Sequence, residues 1–101
     1  MDARSVRIHS GAAADYAEAY AWYASRSRAV GFDFEREVER GLRLIAASPT
    51  RWPHVDRTHR RLVVRKFPYL IIYRLMRAGI VVVAVAHGMR RPGYWRRRSA
   101  R

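Results

Sequence analysis

The sequence contains no cysteine and no long apolar run, and each absence excludes particular kinds of site and function. Without cysteine there is no disulfide framework, no thiolate metal site and no cysteine nucleophile. The longest apolar run, Ile80 to Ala86, has seven residues, whereas a membrane-spanning helix needs roughly 20. The N-terminal segment MDARSVRIHS is polar and lacks the apolar core of a secretory signal. We therefore expect a cytoplasmic protein with no membrane partner.

Acidic residues are missing from the last 45 positions. All eight Asp and Glu residues lie at or before Asp56, where eight basic residues balance them. The last 45 residues hold 13 basic groups, so the whole net charge of +13 falls on the C-terminal half. An arginine-rich genome accounts for 20 of the 21 basic residues being Arg, but not for the missing acids. The asymmetry indicates an anionic partner, either nucleic acid or an acidic protein segment.

A strand and a helix are predicted at the start of the chain. Residues 4–9 alternate between polar and apolar, which favours a short strand. An alanine-rich helix is predicted over residues 11–27, with Ser10 as its N-cap. Asp15 is expected in the first turn of this helix, where the helix dipole favours an acid.

A second helix is predicted over residues 31–47, with Gly31 separating it from the first. Its apolar residues recur every three or four positions, and Pro49 ends it. Glutamates alternate with arginines on the remaining face, which predicts a solvated surface with ion pairs. These residues are Glu35, Arg36, Glu37, Glu39, Arg40 and Arg43.

The second half of the chain predicts a loop and three strands. Residues 48–59 contain two prolines and show no periodicity. Runs rich in β-branched and aromatic residues follow at 60–67, 69–76 and 80–87. The order β-α-α-β-β-β predicts an α+β fold in which a helical hairpin packs on a twisted, mainly antiparallel sheet. At 101 residues, a single domain over the whole chain is expected.

Motifs for metal or cofactor chemistry are missing. There is no Gly-rich phosphate loop and no G-x-S-x-G motif, and the four histidines do not have HExxH spacing. His54, Asp56 and His59 share one loop and offer three possible ligands, but a proline-rich loop is a poor scaffold for a metal site. We expect no metal and no cofactor.

Basic side chains, a histidine and a tyrosine are expected to converge when the last three strands pair. Such a cluster can bind a phosphodiester, and it can stabilise a pentavalent phosphorane without metal. The same residues are equally compatible with solvated strand positions, so the residues alone leave both interpretations open. The set comprises Arg65, Arg74, His87, Arg90, Arg91 and Tyr94.

The order of these motifs resembles the RelE/ParE toxins of type II toxin–antitoxin systems, and the ParE branch of plasmid stabilisation proteins in particular. Residues 12–23 resemble the Ala…Asp…Tyr pattern of the first helix, and residues 34–49 resemble the Phe…Leu…Leu…Pro pattern of the second. Residues 61–74, with Phe-Pro-Tyr and Tyr-Arg, resemble the family's hairpin. Residues 80–92 contain a terminal His-Gly-Met-Arg-Arg-Pro that is similar to its His-Gly-Arg-Arg motif.

The resemblance implies a toxin whose mechanism depends on the branch. RelE-like members are ribosome-dependent mRNA endonucleases, whereas the ParE-like members that have been characterised act on DNA gyrase. The only lysine is Lys66, and Leu70 rather than arginine follows Tyr69, which argues against RelE-type cleavage. If the chain were a metal-independent nuclease, Arg65, His87 and Tyr94 would carry its catalysis, but no carboxylate is an obvious base. The ParE-like interpretation, a protein-binding toxin acting on gyrase, is favoured over this alternative.

The resemblance also implies a cognate antitoxin and a target-binding surface. The antitoxin is expected to present an acidic, amphipathic C-terminal segment that folds into the apolar groove between helices and sheet, forming a hetero-oligomer. The target-binding surface is predicted at Arg65, Arg74, His87, Arg90, Arg91, Tyr94 and Trp95, with Arg96–Arg98 in support. Alternatively, Trp95 only covers the sheet. A different class of function also stays open: a nontoxic, basic nucleic-acid-binding module with salt-sensitive affinity.

Overall fold

The computed structural model describes residues 5–98, which form a four-stranded sheet and two long helices. The predicted α+β order β-α-α-β-β-β is confirmed. The elements are β1 (Val6–Ile8), α1 (Ser10–Arg26), α2 (Arg28–Ala47), β2 (Arg60–Val63), β3 (Tyr69–Met76), β4 (Gly79–His87) and a 3₁₀ turn (Tyr94–Arg97). Residues 1–4 and 99–101, which belong to the predicted domain, lie outside the described residues. Across 5–98, no helix combines the length and the apolar character that crossing a membrane requires.

The strands lie in the order β1-β4-β3-β2, so the first strand pairs with the last. β3 pairs antiparallel with both β2 and β4, and β1 pairs parallel with β4. α1 and α2 carry the chain from β1 across to the opposite edge at β2. Because Tyr69 lies opposite His87, the start of β3 and the end of β4 meet at one end of the sheet.

β4 contains a bulge that changes the face on which its side chains lie. Ile72 is paired with Ala84 but Tyr73 is paired with Val82, so Val83 is the extra residue. Val83 and Ala84 are therefore consecutive residues of the same hydrophobic cluster. The side chains on both faces of β4 are buried, which explains why its sequence is an almost continuous apolar run.

Both faces of the sheet are covered. Phe34 and Ile45 of α2 pack against Ile71 on one face. On the other face, the loop after α2 and the 3₁₀ turn form a further layer, in which Val55 and Trp95 pack against β3 and β4. Trp95 is only 4% exposed, so the 3₁₀ turn closes the second face of the sheet. This placement agrees with the alternative interpretation that Trp95 covers the sheet, whereas the contribution of the loop after α2 was not predicted.

The predicted N-cap at Ser10 is wrong, because α1 is capped one residue earlier. The Nδ1 atom of His9 accepts a hydrogen bond from the backbone N–H of Gly11 at 2.9 Å. The backbone N–H of His9 also donates to the carbonyl of Val82 on β4. His9 therefore ends the parallel strand pairing and begins the helix at the same position.

The predicted separation of the helices at Gly31 is also wrong. Ser27 ends α1 and caps α2, with its Oγ accepting a hydrogen bond from the backbone N–H of Val30 at 3.3 Å. Gly31 lies inside α2, where a Cβ atom would stand 2.9 Å from the Cβ of Ala24. The glycine permits the two helices to approach closely.

β2 ends at Val63, four residues before the predicted end of the second strand. Val64 still donates its backbone N–H to the carbonyl of Tyr69 at 2.9 Å, which closes the hairpin. Lys66 has a φ of 74°, in the left-handed region, so the chain turns there. Arg65 and Lys66 therefore lie in a turn beside the start of β3.

Candidate functional site

A pocket lies at the end of the sheet where β3 begins and β4 ends. Its volume is about 310 Å³, and the C-terminal half of α1 forms one wall. We call it the His87 pocket; it is lined by Glu18, Ala19, Trp22, Tyr23, Tyr69, His87 and Arg90. The rings of Tyr69 and His87 lie edge to face, with centroids 5.1 Å apart, because the two residues are cross-strand partners.

The polar groups of the His87 pocket are mostly hydrogen-bond donors. His87 accepts a hydrogen bond at Nδ1 from the backbone N–H of Met89 at 3.0 Å, so its neutral ring carries the proton on Nε2. Burial raises the pKa of both the Tyr23 and the Tyr69 hydroxyl above the ordinary tyrosine value, so both are hydrogen-bond donors at neutral pH. Arg90 is mostly exposed, with its guanidinium 3.7 Å from the carboxylate of Glu18.

A second concavity, the Tyr94 pocket, adjoins the first through Arg90. It has a volume of about 300 Å³ and is lined by Asp15, Arg90, Arg91 and Tyr94. The Tyr94 hydroxyl donates a hydrogen bond to Asp15 Oδ2 at 3.1 Å. Burial and the Asp15 carboxylate raise the pKa of Tyr94 to about 12.

Asp15 is an anchor for tertiary structure, and its predicted place in the first turn of α1 is wrong. Its Oδ2 accepts hydrogen bonds from the backbone N–H of Val85, the Tyr94 hydroxyl and the Arg98 guanidinium, the last at 2.8 Å. Arg98 also donates to the carbonyl of Val83 at the bulge. Together, Asp15 and Arg98 satisfy polar backbone groups of β4 beyond the point where β1 ends.

Arg65 points towards α2. Its guanidinium donates to Glu37 Oε2 at 2.9 Å, and the Glu37 side chain is 7% exposed. The prediction that Glu37 belongs to a solvated face is therefore wrong. The Arg65 hydrogen bond holds the pKa of Glu37 below its usual value. Since Lys66 also lies 3.9 Å from Asp33, α2 fixes the β2–β3 turn through two of its acids.

Arg74 and Trp95 lie on the other face of the sheet. Arg74 follows Tyr73, which packs towards the helices, so strand alternation places Arg74 on the opposite face. The Trp95 ring packs against His59, with centroids 4.7 Å apart. The predicted target-binding residues are thus distributed. His87, Arg90, Arg91 and Tyr94 line two adjoining pockets, whereas Arg65, Arg74 and Trp95 lie elsewhere.

A polar network that the sequence did not predict holds the 3₁₀ turn against the loop after α2. Asp56 accepts hydrogen bonds from the Arg96 guanidinium at 2.9 Å and from the backbone N–H groups of Thr58 and His59. Burial opposes ionisation of Asp56, but these hydrogen bonds outweigh it and hold its pKa well below the usual range. Within residues 5–98 no group of three His, Asp or Glu side chains is arranged to hold a metal ion.

An apolar cleft of about 310 Å³ lies between α1, α2 and the edge of the sheet. It is lined by Ile8, Ala12, Tyr16, Glu35, Val38, Glu39, Leu42, Val82 and Val85. Its polar residues are Tyr16 on α1 and Glu35 and Glu39 on α2. Burial, followed by the charges of Glu35 and Glu39, raises the pKa of Tyr16 to about 12. The cleft is therefore apolar with acidic groups on its α2 side, and it is distinct from the basic end of the sheet.

A helical hairpin on a mixed four-stranded sheet is the fold of a toxin–antitoxin structure: the chromosomal ParDE system from P. aeruginosa. One chain of that structure superimposes with a TM-score of 0.73 and 15% identity, over 83% of this chain and 95% of the other. The family model for the ParE toxin of type II toxin–antitoxin systems (parDE) matches residues 6–92. The chain therefore belongs to the ParE toxin family. Toxin ParE2 of Mycobacterium tuberculosis, in strains CDC 1551 / Oshkosh and ATCC 25618 / H37Rv, is 28% identical over 90 residues, covering 88% of this chain and 86% of that toxin.

Proposed function

We propose that this ParE-family toxin arrests growth by acting on DNA gyrase in the cytoplasm. The observation that carries the proposal is the basic surface formed by His87, Arg90, Arg91 and Tyr94 around two adjoining pockets. Arg90 and Arg91 are exposed, and the nearby acids are Glu18 and the already engaged Asp15. A surface of this kind suits a macromolecular target with negative charge.

The hydrogen-bond partners of the candidate nuclease residues support a binding mechanism. Arg65 is held by Glu37 and Tyr94 by Asp15, while His87 accepts from Met89. Metal-independent cleavage needs a proton acceptor, a proton donor and a phosphate-stabilising cation around one phosphodiester. Across residues 5–98, no hydrogen bond or ring contact joins any two of Arg65, His87 and Tyr94. We therefore favour gyrase binding over mRNA cleavage.

Two assays on the purified chain test the proposal side by side. We expect inhibition of gyrase supercoiling and no ribosome-dependent cleavage of mRNA. Expression of the chain alone should arrest growth, and coexpression with the cognate antitoxin should restore it. Cleavage of ribosome-bound mRNA without an effect on gyrase would assign the toxin to the RelE-type mechanism instead.

We infer that the antitoxin segment places apolar side chains in the apolar cleft and acidic side chains on the basic end of the sheet. Ala12, Val38 and Leu42 offer the cleft an apolar lining, which suits one face of an amphipathic helix. Because Glu35 and Glu39 lie on the α2 side of the cleft, the acids of the antitoxin segment belong at the Arg90–Arg91 end. Complementary charge there would speed association.

Calorimetry with the cognate antitoxin peptide tests this placement. Leu42→Glu should weaken binding at least about tenfold, because it introduces a charge into an apolar contact. Arg43→Glu places the same side chain on an exposed neighbouring residue and is the control; although it lowers the net charge by two rather than one, it should change affinity far less. Equal effects of the two variants would contradict binding in the cleft.

A further inference from the structure

The His87 pocket has polar groups without partners and an aromatic wall, and the proposed function explains neither. Within residues 5–98, the hydroxyls of Tyr23 and Tyr69 and the Nε2 of His87 make no hydrogen bond, although all three side chains line the pocket. Arg90 is held beside them, because its backbone N–H donates to the carbonyl of His87 at 3.1 Å. Four donor groups thus converge on one concavity.

The balance of donors and acceptors favours an anionic ligand. The only carboxylate that lines the pocket belongs to Glu18, which is 75% exposed at the rim and 3.7 Å from Arg90. The two tyrosine hydroxyls are protonated at neutral pH, as tyrosines ordinarily are, and burial raises the pKa of each further. A phosphate group accepts hydrogen bonds on three oxygens and pairs well with a guanidinium.

Aromatic side chains line the rest of the His87 pocket. The Trp22 and Tyr23 rings meet edge to face at 5.1 Å, and Tyr23 lies 6.2 Å from Tyr69. Trp22 is half exposed, and the Arg26 guanidinium lies 3.6 Å from the centroid of its indole ring. At about 310 Å³, the pocket is at the lower end of the ~300–1,000 Å³ typical of small-molecule sites. This is more room than a phosphate alone would fill.

We propose that the His87 pocket binds a nucleotide, with the phosphate at Arg90, His87 and Tyr69 and the base against Trp22 and Tyr23. Stacking of bases on aromatic side chains is the usual means by which proteins hold unpaired nucleotides. A carboxylate of an acidic peptide would satisfy the donors but leave the aromatic wall unused. The ligand class is therefore a nucleotide, either free or at an unpaired position of a nucleic acid.

Titration of the purified chain with deoxyadenosine 5′-monophosphate tests the proposal, with chemical-shift changes of backbone amides and indole N–H groups as the readout. Deoxyadenosine and inorganic phosphate are titrated separately. We expect the nucleotide to bind at least about fivefold more tightly than phosphate, because stacking adds to the phosphate contacts. The largest shifts should occur at Trp22, His87 and Arg90. Equal affinity for phosphate and nucleotide would overturn the assignment of the base.

Four variants separate the parts of the site. Arg90→Ala should weaken nucleotide binding about tenfold or more. Arg77→Ala, which removes the same charge in the exposed turn at the opposite end of the sheet, should change it less than about twofold. Trp22→Ala should weaken binding of the nucleotide but not of inorganic phosphate. Glu18→Gln should strengthen nucleotide binding, because it removes the carboxylate that competes for Arg90.

Three results would reject the nucleotide. Equal losses in Arg90→Ala and Arg77→Ala would indicate nonspecific attraction to a basic chain. An absence of shifts in the pocket at millimolar nucleotide would show that the pocket does not bind it. A short Asp/Glu-rich peptide that binds there more tightly than the nucleotide would assign the pocket to a protein partner. The inference uses the proposed target surface, but these measurements need no gyrase, so it fails or succeeds independently of the proposed function.

Discussion

Asp15 shows how a single carboxylate can replace a missing strand. β1 pairs with β4 only as far as Val82, and beyond that point no strand within residues 5–98 pairs with this edge of β4. Asp15 accepts from the backbone N–H of Val85, and its partner Arg98 donates to the carbonyl of Val83. A buried backbone group without a partner is costly, so this ion pair protects the strand edge.

Replacement of Asp15 by Ala should destabilise the fold by about 3 kcal/mol, the lower end of the cost of removing one partner from a buried ion pair, because both side chains keep some exposure. Arg98 and the backbone N–H of Val85 would both lose their acceptor. Tyr94→Phe removes one hydrogen bond to the same carboxylate and should cost only about 1 kcal/mol. Urea denaturation of both variants checks the difference. Similar losses in the two variants would show that Asp15 matters only through Tyr94.

Alkaline pH should weaken the fold, because Tyr94 then ionises beside the Asp15 carboxylate. The pKa of Tyr94 is raised to about 12 in the folded state, whereas an unfolded tyrosine titrates near 10. The stabilisation is therefore complete below about pH 10 and is lost as the pH rises towards 12. Stability measured from pH 8 to 12 should decline less steeply in Tyr94→Phe than in the parent chain. Identical profiles would contradict the raised pKa.

The role of Asp15 could not be predicted from sequence, because its partner Arg98 lies 83 residues away. Local rules apply to an acid near a helix start, and they favour a dipole contact. Glu37 was missed for the same reason. Its place among alternating charges on α2 predicted a solvated side chain, whereas the β2–β3 turn folds over it and supplies Arg65. Arg90, by contrast, was expected to lie in one region of the sheet with His87, and it lines the same pocket.

At the scale of elements, the 3₁₀ turn Tyr94–Arg97 acts as part of the core rather than as a tail. Trp95 fills the space over β4, and Arg96 pairs with Asp56 of the loop after α2. The loop after α2 and the 3₁₀ turn thereby cover the second face of the sheet.

Trp95→Ala should therefore destabilise the fold by about 3–5 kcal/mol, as for other buried aromatic residues. Trp22→Ala is the matched control, because Trp22 is half exposed and should cost no more than about 1 kcal/mol. Thermal unfolding of both variants gives the comparison. Equal stabilities would show that the 3₁₀ turn is not part of the cooperative core.

Acid should weaken the contact between the 3₁₀ turn and the loop after α2, because Asp56 then loses its charge. The folded state holds the pKa of Asp56 below that of an unfolded aspartate, about 3.9. Its contribution to stability is therefore present above about pH 4 and is lost as the pH falls below that value. In Asp56→Asn the stability should depend less on pH between about 2 and 4. A parallel acid dependence in the parent chain and the variant would rule out this role for Asp56.

The helices and strands were largely predictable, because apolar residues recur where side chains are buried, as on one face of α2 and along the whole of β4. The errors occurred at boundaries. Ser27 rather than Gly31 separates the helices, since Gly31 is required by contact with Ala24, a tertiary effect. The covering layer around Trp95 has no periodicity, and its place depends on the ion pair with Asp56.

For the whole molecule, the uneven charge predicts where toxicity is sensitive to mutation. Removing Arg90 and Arg91 one at a time should lower potency gradually, because each contributes part of a basic surface. His87→Ala should be better tolerated than in a nuclease, where the loss of an acid or base costs on the order of 10²-fold or more. Growth arrest is the measurement, with antitoxin binding as the check on folding. Full toxicity of an Arg90→Ala/Arg91→Ala double variant would place the active surface elsewhere.

The pairing of the first strand with the last has a consequence for the timing of synthesis. Val6 can find Ile80 only after most of the chain has left the ribosome, and Asp15 waits still longer for Arg98. Helical hairpins form early from local contacts, whereas this sheet closes by contacts of high sequence separation. A nascent chain thus exposes the apolar faces of α1 and α2 before β4 exists. The His87 and Tyr94 pockets, and any activity that depends on them, can therefore form only after residues 69–94 have been synthesised.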